Sequence, residues 1–129
     1  MKSLIGDIGN TETKICVLNQ KFKILKKIRL ETFKLNKKKY LKNKFSFMKN
    51  KKHFNEKALF ANVVPKKYQS LKKFLKKNYG IRCKELKETK YSDLINVKVN
   101  KKQIGSDRIA NAIGSRYSYK DNCIILDFG

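Results

Sequence analysis

The chain has 129 residues, with 33 lysines and arginines against 10 aspartates and glutamates, a formal net charge of +23. A chain of this length folds as one domain around one core. No stretch approaches the ~20 apolar residues of a transmembrane helix, and the N-terminus lacks a signal-peptide core. We therefore expect a soluble, cytoplasmic protein with no membrane partner.

The positive charge has two interpretations, a site for nucleic acid or a bias in composition. Only four of the basic residues are arginine, the residue whose planar fork reads phosphates and bases with paired hydrogen bonds. Lysine is accompanied here by asparagine, isoleucine, phenylalanine and tyrosine, as an AT-rich coding sequence would produce. We favour composition and do not expect nucleic acid as a partner, and a basic nucleic-acid-binding protein stays the alternative function.

The cysteines give no sign of a disulfide framework or a zinc site. They are odd in number and widely spaced, at Cys16, Cys83 and Cys123. This usage is typical of a reducing cytoplasm.

Hydrophobic patterning predicts alternating strands and helices. Two or three antiparallel strands come first, with a tight turn at "DIGNTE". An amphipathic helix with an imperfect apolar stripe follows from about Phe33 to Asn50. The next elements are a strand, a helix and a strand, in "KALFANVVP", "KKYQSLKKFLKKNYG" and "IRCKEL".

The last third of the chain continues this alternation. After the shorter apolar segment "LINVKV", a helix opens near Ser106 or Asp107, with Ile109, Ile113 and Tyr117 on one face, and "CIILDFG" is predicted as the last strand. The alternation indicates an α/β domain with a mixed sheet.

The first candidate site is "DIGNTETK", a strand end, a tight turn and a second strand. Gly9 lets the backbone approach a ligand, the turn offers N–H and hydroxyl donors to phosphate, and Asp7 can hold a hydrated Mg²⁺. An ordinary hairpin turn is the alternative, because Gly-Asn is a common turn pair.

Two other segments carry candidate groups. In "GSDRIAN", Asp107 and Arg108 stand at the mouth of a helix, where Asp107 either caps the helix or takes a proton from an alcohol beside an anionic substrate. In "LDFG", Asp127 ends a predicted strand and repeats the Asp-x-Gly pattern of "GDIG". Two such turns can face one nucleotide from opposite sides of a cleft.

In this order, the motifs resemble those of type III pantothenate kinases, which belong to the superfamily of acetate and sugar kinases, Hsp70 and actin. The resemblance rests on "DIGNTETK", "ANVVP", "IGSDRIANA" and "IILDFG". It implies a ribonuclease H-like (actin-like ATPase) fold with a mixed five-stranded sheet and flanking helices. The implied activity is ATP-dependent phosphorylation of pantothenate to 4'-phosphopantothenate, the first step toward coenzyme A. A related subfamily is associated with transcriptional accessory roles, and this association keeps the alternative of a nucleic-acid-binding protein open.

The resemblance also assigns residue roles. Asp107 is the implied general base, and Asp127 the implied ligand of a monovalent cation, K⁺ or NH₄⁺. The implied contacts with pantothenate come from Gly105, Ser106, Asp107 and Arg108. The implied contacts with ATP come from Asp7, Ile8, Gly9, Asn10, Thr11, Glu12, Thr13 and Lys14.

The chain departs from the family pattern in two ways. A tyrosine that contacts the substrate is replaced by Lys98, which could still attract the carboxylate of pantothenate. Family members are also about twice as long and form homodimers. We therefore expect residues 1–129 to be the N-terminal domain of a two-domain kinase, running into the second domain at about 121–129, and expect this chain alone to be an inactive fragment.

Overall fold

Five strands form one mixed sheet in the computed structural model, which describes residues 1–48 and 51–127. The strand order is β3-β2-β1-β4-β5, with β1–β2 and β2–β3 antiparallel and β1–β4 and β4–β5 parallel. The predicted α/β class and mixed five-stranded sheet are thus confirmed. The strands are β1 (Lys2–Ile8), β2 (Glu12–Leu18), β3 (Ile24–Glu31), β4 (Phe54–Asn62) and β5 (Arg82–Glu85).

Three α-helices flank the sheet in the described residues: α1 (Lys38–Lys44), α2 (Pro65–Tyr79) and α3 (Ser106–Ser118). Proline suits the first position of α2 because its fixed φ is helical and no N–H is needed there. Gly80 ends α2 with a left-handed φ of 72°, a conformation that glycine adopts without a steric penalty. Among the described helices, none combines the length and the apolar character needed to cross a membrane.

The helix predicted from about Phe33 to Asn50 is wrong in extent. The structure has 3₁₀ turns at Thr32–Lys34 and Ser46–Met48 around the short helix α1, and residues 49–50 lie outside the described residues. Helix α1 has no side-chain cap and no acidic residue in its first turn. Because its lysines repel one another on neighbouring turns, little besides packing stabilises a longer helix.

The main core lies between the sheet and helices α1 and α2. It includes the predicted stripe of α2 (Tyr68, Leu71, Phe74 and Leu75) and the inward-facing side chains of the strands, and Phe45, Phe60 and Leu71 are fully buried. A second, smaller cluster lies under α3 and consists of the buried residues Leu86, Tyr91 and Ile109.

The strand predicted at "CIILDFG" is absent from the described part of that segment. Residues 123–127 have no regular secondary structure, Ile124 is 90% exposed, and the last two positions lie outside the described residues. An apolar run forms a strand only where another strand pairs with it. Tyr117, predicted to share one face of α3 with Ile109 and Ile113, is 93% exposed, whereas Ile109 is fully buried.

Candidate active site

The predicted phosphate-binding turn is the connection between β1 and β2, which we call the β1–β2 loop (residues 9–11). The Gly9 N–H donates to the Glu12 carbonyl oxygen at 3.1 Å and closes the turn. The antiparallel register places Asp7 directly opposite Lys14, so the carboxylate and the ammonium group stand on one face of the sheet.

The side chains of this motif divide between two faces. Ile8 and Thr13 are fully buried, whereas Asn10, Thr11 and Lys14 are exposed. The Thr13 hydroxyl is hydrogen-bonded to the Thr32 hydroxyl at 2.9 Å. In this structure the side chains of Ile8 and Thr13 therefore face the protein interior, and only their backbone could meet a nucleotide.

Glu12 stands at the start of β2 and is half-buried. Its Oε1 lies 3.4 Å from Nε of Arg29, without the geometry of a hydrogen bond to that or any other described residue. The carboxylate is thus held by charge attraction at the edge of the β1–β2 loop.

Ser106 fixes the start of α3 to the end of β4. Its hydroxyl accepts the Asn62 N–H and donates to the Asn62 carbonyl oxygen at 2.9 Å, and the residue is fully buried. Beside this link, the Val63 N–H donates to the Ile8 carbonyl oxygen at 3.1 Å. The Ser106 hydroxyl donates its one hydrogen to Asn62, so this side chain positions the start of the helix, and its predicted contact with the substrate stays a prediction.

Asp107 follows in the first turn of α3. The N-cap residue is Gly105, and no side chain caps this helix, so the reading of Asp107 as the cap is wrong. A methyl group on Gly105 would overlap Oδ1 of Asp107. A larger residue at this position would therefore force the Asp107 carboxylate to move.

The carboxylate of Asp7 interacts with two other carboxylates, those of Asp107 and Asp127. Burial raises the pKa of the Asp7 carboxyl above its ordinary value, the positive charge of Lys14 opposes this, and the negative charges of Asp107 and Asp127 add to it. Asp127 accepts a hydrogen bond from Nδ2 of Asn111, one turn after Asp107 on α3, at 3.0 Å. The structure thus brings together the carboxylates that the sequence placed at three separate motifs.

This arrangement attracts cations without forming a cage for one. Within residues 1–48 and 51–127, no three side chains of the acidic, histidine or cysteine types lie close enough to hold a metal ion together. Mg²⁺ commonly binds through one or two carboxylates, with water and phosphate oxygens as its other ligands. The donor set around Asp7 fits a hydrated ion shared with a substrate.

An open groove of about 430 Å³ adjoins Asp127. Its walls are the middle of α3, with Asn111 and Ser115, and the terminal segment, with Ile125 and Leu126. Small side chains on α3 leave this space beside the carboxylate group.

The remaining predicted site residues lie at the periphery. Arg108 is exposed on the first turn of α3, and Gly105 is half-buried before it. Lys98 is exposed in a segment without regular structure. Their contacts with a substrate stay predictions.

Sequence reasoning missed three residues that organise the site: Thr32, Asn62 and Asn111. Asn62 stood in the quoted "ANVVP" motif without a role, and Asn111 is separated from Asp107 by one helical turn, a spacing that places both on one side of α3. Thr32 had only a weak signal, a polar residue where a strand ends.

The comparisons with known proteins agree on one family. The sequence model described as type III pantothenate kinase matches residues 3–129. The chain is 52% identical over 126 residues to the type III pantothenate kinase of Pelagibacter ubique, covering 98% of this chain and 50% of that protein. It is 29% identical over 128 residues to the enzyme of the same name from Thermosipho melanesiensis, covering 98% and 50%.

A shorter match, 33% identical over 69 residues, is to the type III pantothenate kinase of Endomicrobium trichonymphae, covering 54% of this chain and 27% of that protein. The chain spans about half the length of the first of these relatives. None of these matches supports the alternative of a nucleic-acid-binding protein. The chain belongs to the type III pantothenate kinase family.

Proposed function

We propose that residues 1–129 form the N-terminal, ribonuclease H-like domain of a two-domain kinase that phosphorylates pantothenate with ATP. The product would be 4'-phosphopantothenate, on the way to coenzyme A. The family match over nearly the whole chain supports this proposal, as does the length of the relatives.

The single observation that carries the proposal is the convergence of Asp7, Asp107 and Asp127. Each carboxylate comes from a different motif, and the negative charges of Asp107 and Asp127 raise the pKa of Asp7. Phosphoryl transfer depends mainly on positioning and on neutralising charge. Carboxylates that gather cations beside a donor-rich loop are suitable parts for it.

The chemistry assigned to this chain is a direct transfer. The hydroxyl oxygen of pantothenate forms a bond to the γ-phosphorus of ATP, while the bond from that phosphorus to the β–γ bridging oxygen breaks and ADP leaves. The hydroxyl proton passes to the carboxylate of Asp107, the general base. Asn10, Thr11 and Lys14 hold the phosphates, with Gly9 allowing their close approach.

Two ions belong to this proposal. Asp7 would hold Mg²⁺ through water, and Asp127, whose carboxylate Asn111 orients, would be a ligand of K⁺ or NH₄⁺. These cations supply neutralisation of phosphate charge when bound.

The contacts with pantothenate would come from Gly105, Ser106 and Arg108, with Lys98 attracting the carboxylate. Backbone contacts would serve for Gly105 and Ser106, because the Ser106 hydroxyl is engaged by Asn62. We also propose that the complete protein forms a homodimer and acts in the cytoplasm.

The test is an assay of the protein expressed from its whole reading frame. ADP release would be followed with ATP, Mg²⁺ and K⁺, with and without pantothenate, and the product identified by mass spectrometry. We expect release that depends on pantothenate, and none from the 129-residue chain alone. Release at the same rate without pantothenate, or no phosphorylated product, would overturn the proposal.

A further inference from the structure

The turn after β3 places one threonine against the β1–β2 loop. The Thr32 hydroxyl donates to the Gly9 carbonyl oxygen at 2.8 Å, and the Thr32 N–H donates to the Thr11 carbonyl oxygen at 2.9 Å. Thr32 is 1% exposed. One residue therefore holds the loop at both of its ends.

The direction of the neighbouring hydrogen bond follows from the number of hydrogens. A hydroxyl donates one hydrogen and accepts through its lone pairs. Because the Thr32 hydroxyl donates to Gly9, the Thr13 hydroxyl must donate across the 2.9 Å that separates the two oxygens. Thr13 thereby fixes the rotamer in which Thr32 reaches the loop.

Hydrogen bonds to the residues around Thr32 fix the position of its backbone. Nζ of Lys67, on α2, donates to the carbonyl oxygen of Phe33 at 2.6 Å and to Oδ1 of Asn36 at 3.0 Å. The Glu31 N–H donates to the Tyr40 hydroxyl oxygen at 3.0 Å. The residues on both sides of Thr32 are thus tied to α1 and α2.

The consequence for the loop follows from peptide geometry. In a planar trans peptide, the carbonyl group of one residue and the N–H of the next point in opposite directions. Since the Gly9 carbonyl points inward to Thr32, the Asn10 N–H points away from Thr32. The Gly9 N–H is already used within the turn by Glu12, so the Asn10 N–H is the donor that this orientation makes available.

We propose that Thr32 is a positioning residue that fixes the Gly9–Asn10 peptide with its N–H toward a nucleotide phosphate. The proposal rests on the proposed function, in which the β1–β2 loop binds ATP. Without the Thr32 hydroxyl this peptide can rotate, and the loop then presents a carbonyl oxygen to the phosphate in part of the population.

The experiment compares three variants of the protein expressed from its whole reading frame. Thr32→Val keeps the shape and removes the hydroxyl, Thr32→Ser keeps the hydroxyl, and Thr13→Val removes only the bond that supports Thr32. We expect Thr32→Val to raise the KM for ATP about tenfold, the loss of one hydrogen bond. The KM for pantothenate should stay unchanged, Thr32→Ser should restore wild-type values, and Thr13→Val should fall between them.

Amide hydrogen exchange in the absence of nucleotide gives an independent readout. In Thr32→Val, the Gly9 N–H should exchange faster, while amides of the core helix α2 such as that of Leu71 keep their wild-type rates. Equal acceleration of both would show a general loss of stability and overturn the positioning role. An unchanged KM for ATP in Thr32→Val, or a Thr32→Ser variant as impaired as Thr32→Val, would also overturn it.

The two proposals fail in different ways. Wild-type protein that binds no ATP would overturn the proposed function whatever the variants do. A wild-type protein that binds ATP, with variants that bind it equally well, would overturn only the role of Thr32.

Discussion

The two sides of the candidate site differ in how firmly they are packed. Asp7 and the β1–β2 loop stand on a sheet whose core contains 19 buried residues in the part of the chain that the structure describes. Asp107 and Asp127 depend on α3, whose cluster has three, Leu86, Tyr91 and Ile109, within the described residues. The phosphate side is therefore packed against a larger core than the side with the proposed base.

Because the cluster under α3 is small, the hydrogen bonds between Ser106 and Asn62 are important for the position of this helix. These paired hydrogen bonds join the first turn of α3 to β4, where apolar packing is thin. Regions with few buried contacts open at lower free energies than the global core, and enzymes use such regions for closure around substrates. We expect α3 to move relative to the sheet about this link.

The largest effect is expected at the proposed base. Asp107→Asn in the protein from the whole reading frame removes the proton acceptor at nearly constant shape and should lower kcat about 10²–10⁴-fold. Asp93→Asn is the matched control, because Asp93 is exposed in a 3₁₀ turn and is not among the charges that act on Asp7. An Asp107→Asn variant with wild-type kcat would contradict the role of Asp107.

A smaller loss is expected when Asp107 is kept but displaced. Gly105→Ala adds a methyl group where Oδ1 of Asp107 lies, so the carboxylate must move. A misplacement of about 1 Å can cost about 10²-fold in rate, and kcat should fall by that order while the fold persists. Gly114→Ala is the control, because a methyl group there meets no atom within 4 Å. Equal kcat values for the two variants would show that the position of Asp107 is unimportant.

The firmly packed side was also the side that the sequence predicted best. The stripe of α2 shows in the sequence because Tyr68, Leu71, Phe74 and Leu75 recur at helical spacing and all are buried in one core. Such periodicity reports burial directly. The hairpin and its turn were predicted for a similar reason, since apolar runs bounded the Gly-Asn pair.

The poorly packed side was predicted less well. The apolar run at residues 123–126 indicated a strand, yet strand formation depends on a pairing partner that local sequence does not reveal. The motif residues were found by type, but their division into exposed and buried side chains required the fold. Thr32 and Asn62 act through long-range hydrogen bonds to Gly9 and Ser106, which no local pattern encodes.

The difference in packing between the two sides can be tested with one large-to-small substitution on each side, made in the 129-residue chain. Leu71→Ala, in the main core, should lower the free energy of unfolding by about 2–5 kcal/mol. Ile109→Ala, in the small cluster, should cost less, because fewer surrounding side chains are left around a cavity. Urea unfolding measures both, and hydrogen exchange should show that Ile109→Ala acts mainly on α3. A larger global loss in Ile109→Ala would show that the two sides are equally well packed.

The smallest effect concerns Asp7, whose charge opposes folding. Burial, with the nearby charges of Asp107 and Asp127, raises the pKa of its carboxyl above the ordinary value of 3.8, despite Lys14. A group with a raised pKa in the folded state binds its proton more tightly there than in the unfolded chain. Stability from Asp7 is thus fully present below its ordinary pKa and is lost as the pH rises through the raised value.

Asp7→Asn removes this dependence, because asparagine is neutral at every pH. In the 129-residue chain, the urea midpoints of wild type and Asp7→Asn should nearly coincide at about pH 3, below the ordinary pKa, and separate toward about pH 7, with the variant more stable. Asp93→Asn, at an exposed residue, is the control for the general effect of removing one negative charge. A variant less stable than wild type at pH 7 would mean that Lys14 outweighs burial and the other carboxylates. The expected result would instead mean that the Asp7 carboxylate lowers the stability of the folded chain, as functional groups often do. A cation bound beside Asp7 should then reduce the difference in urea midpoint between wild type and Asp7→Asn.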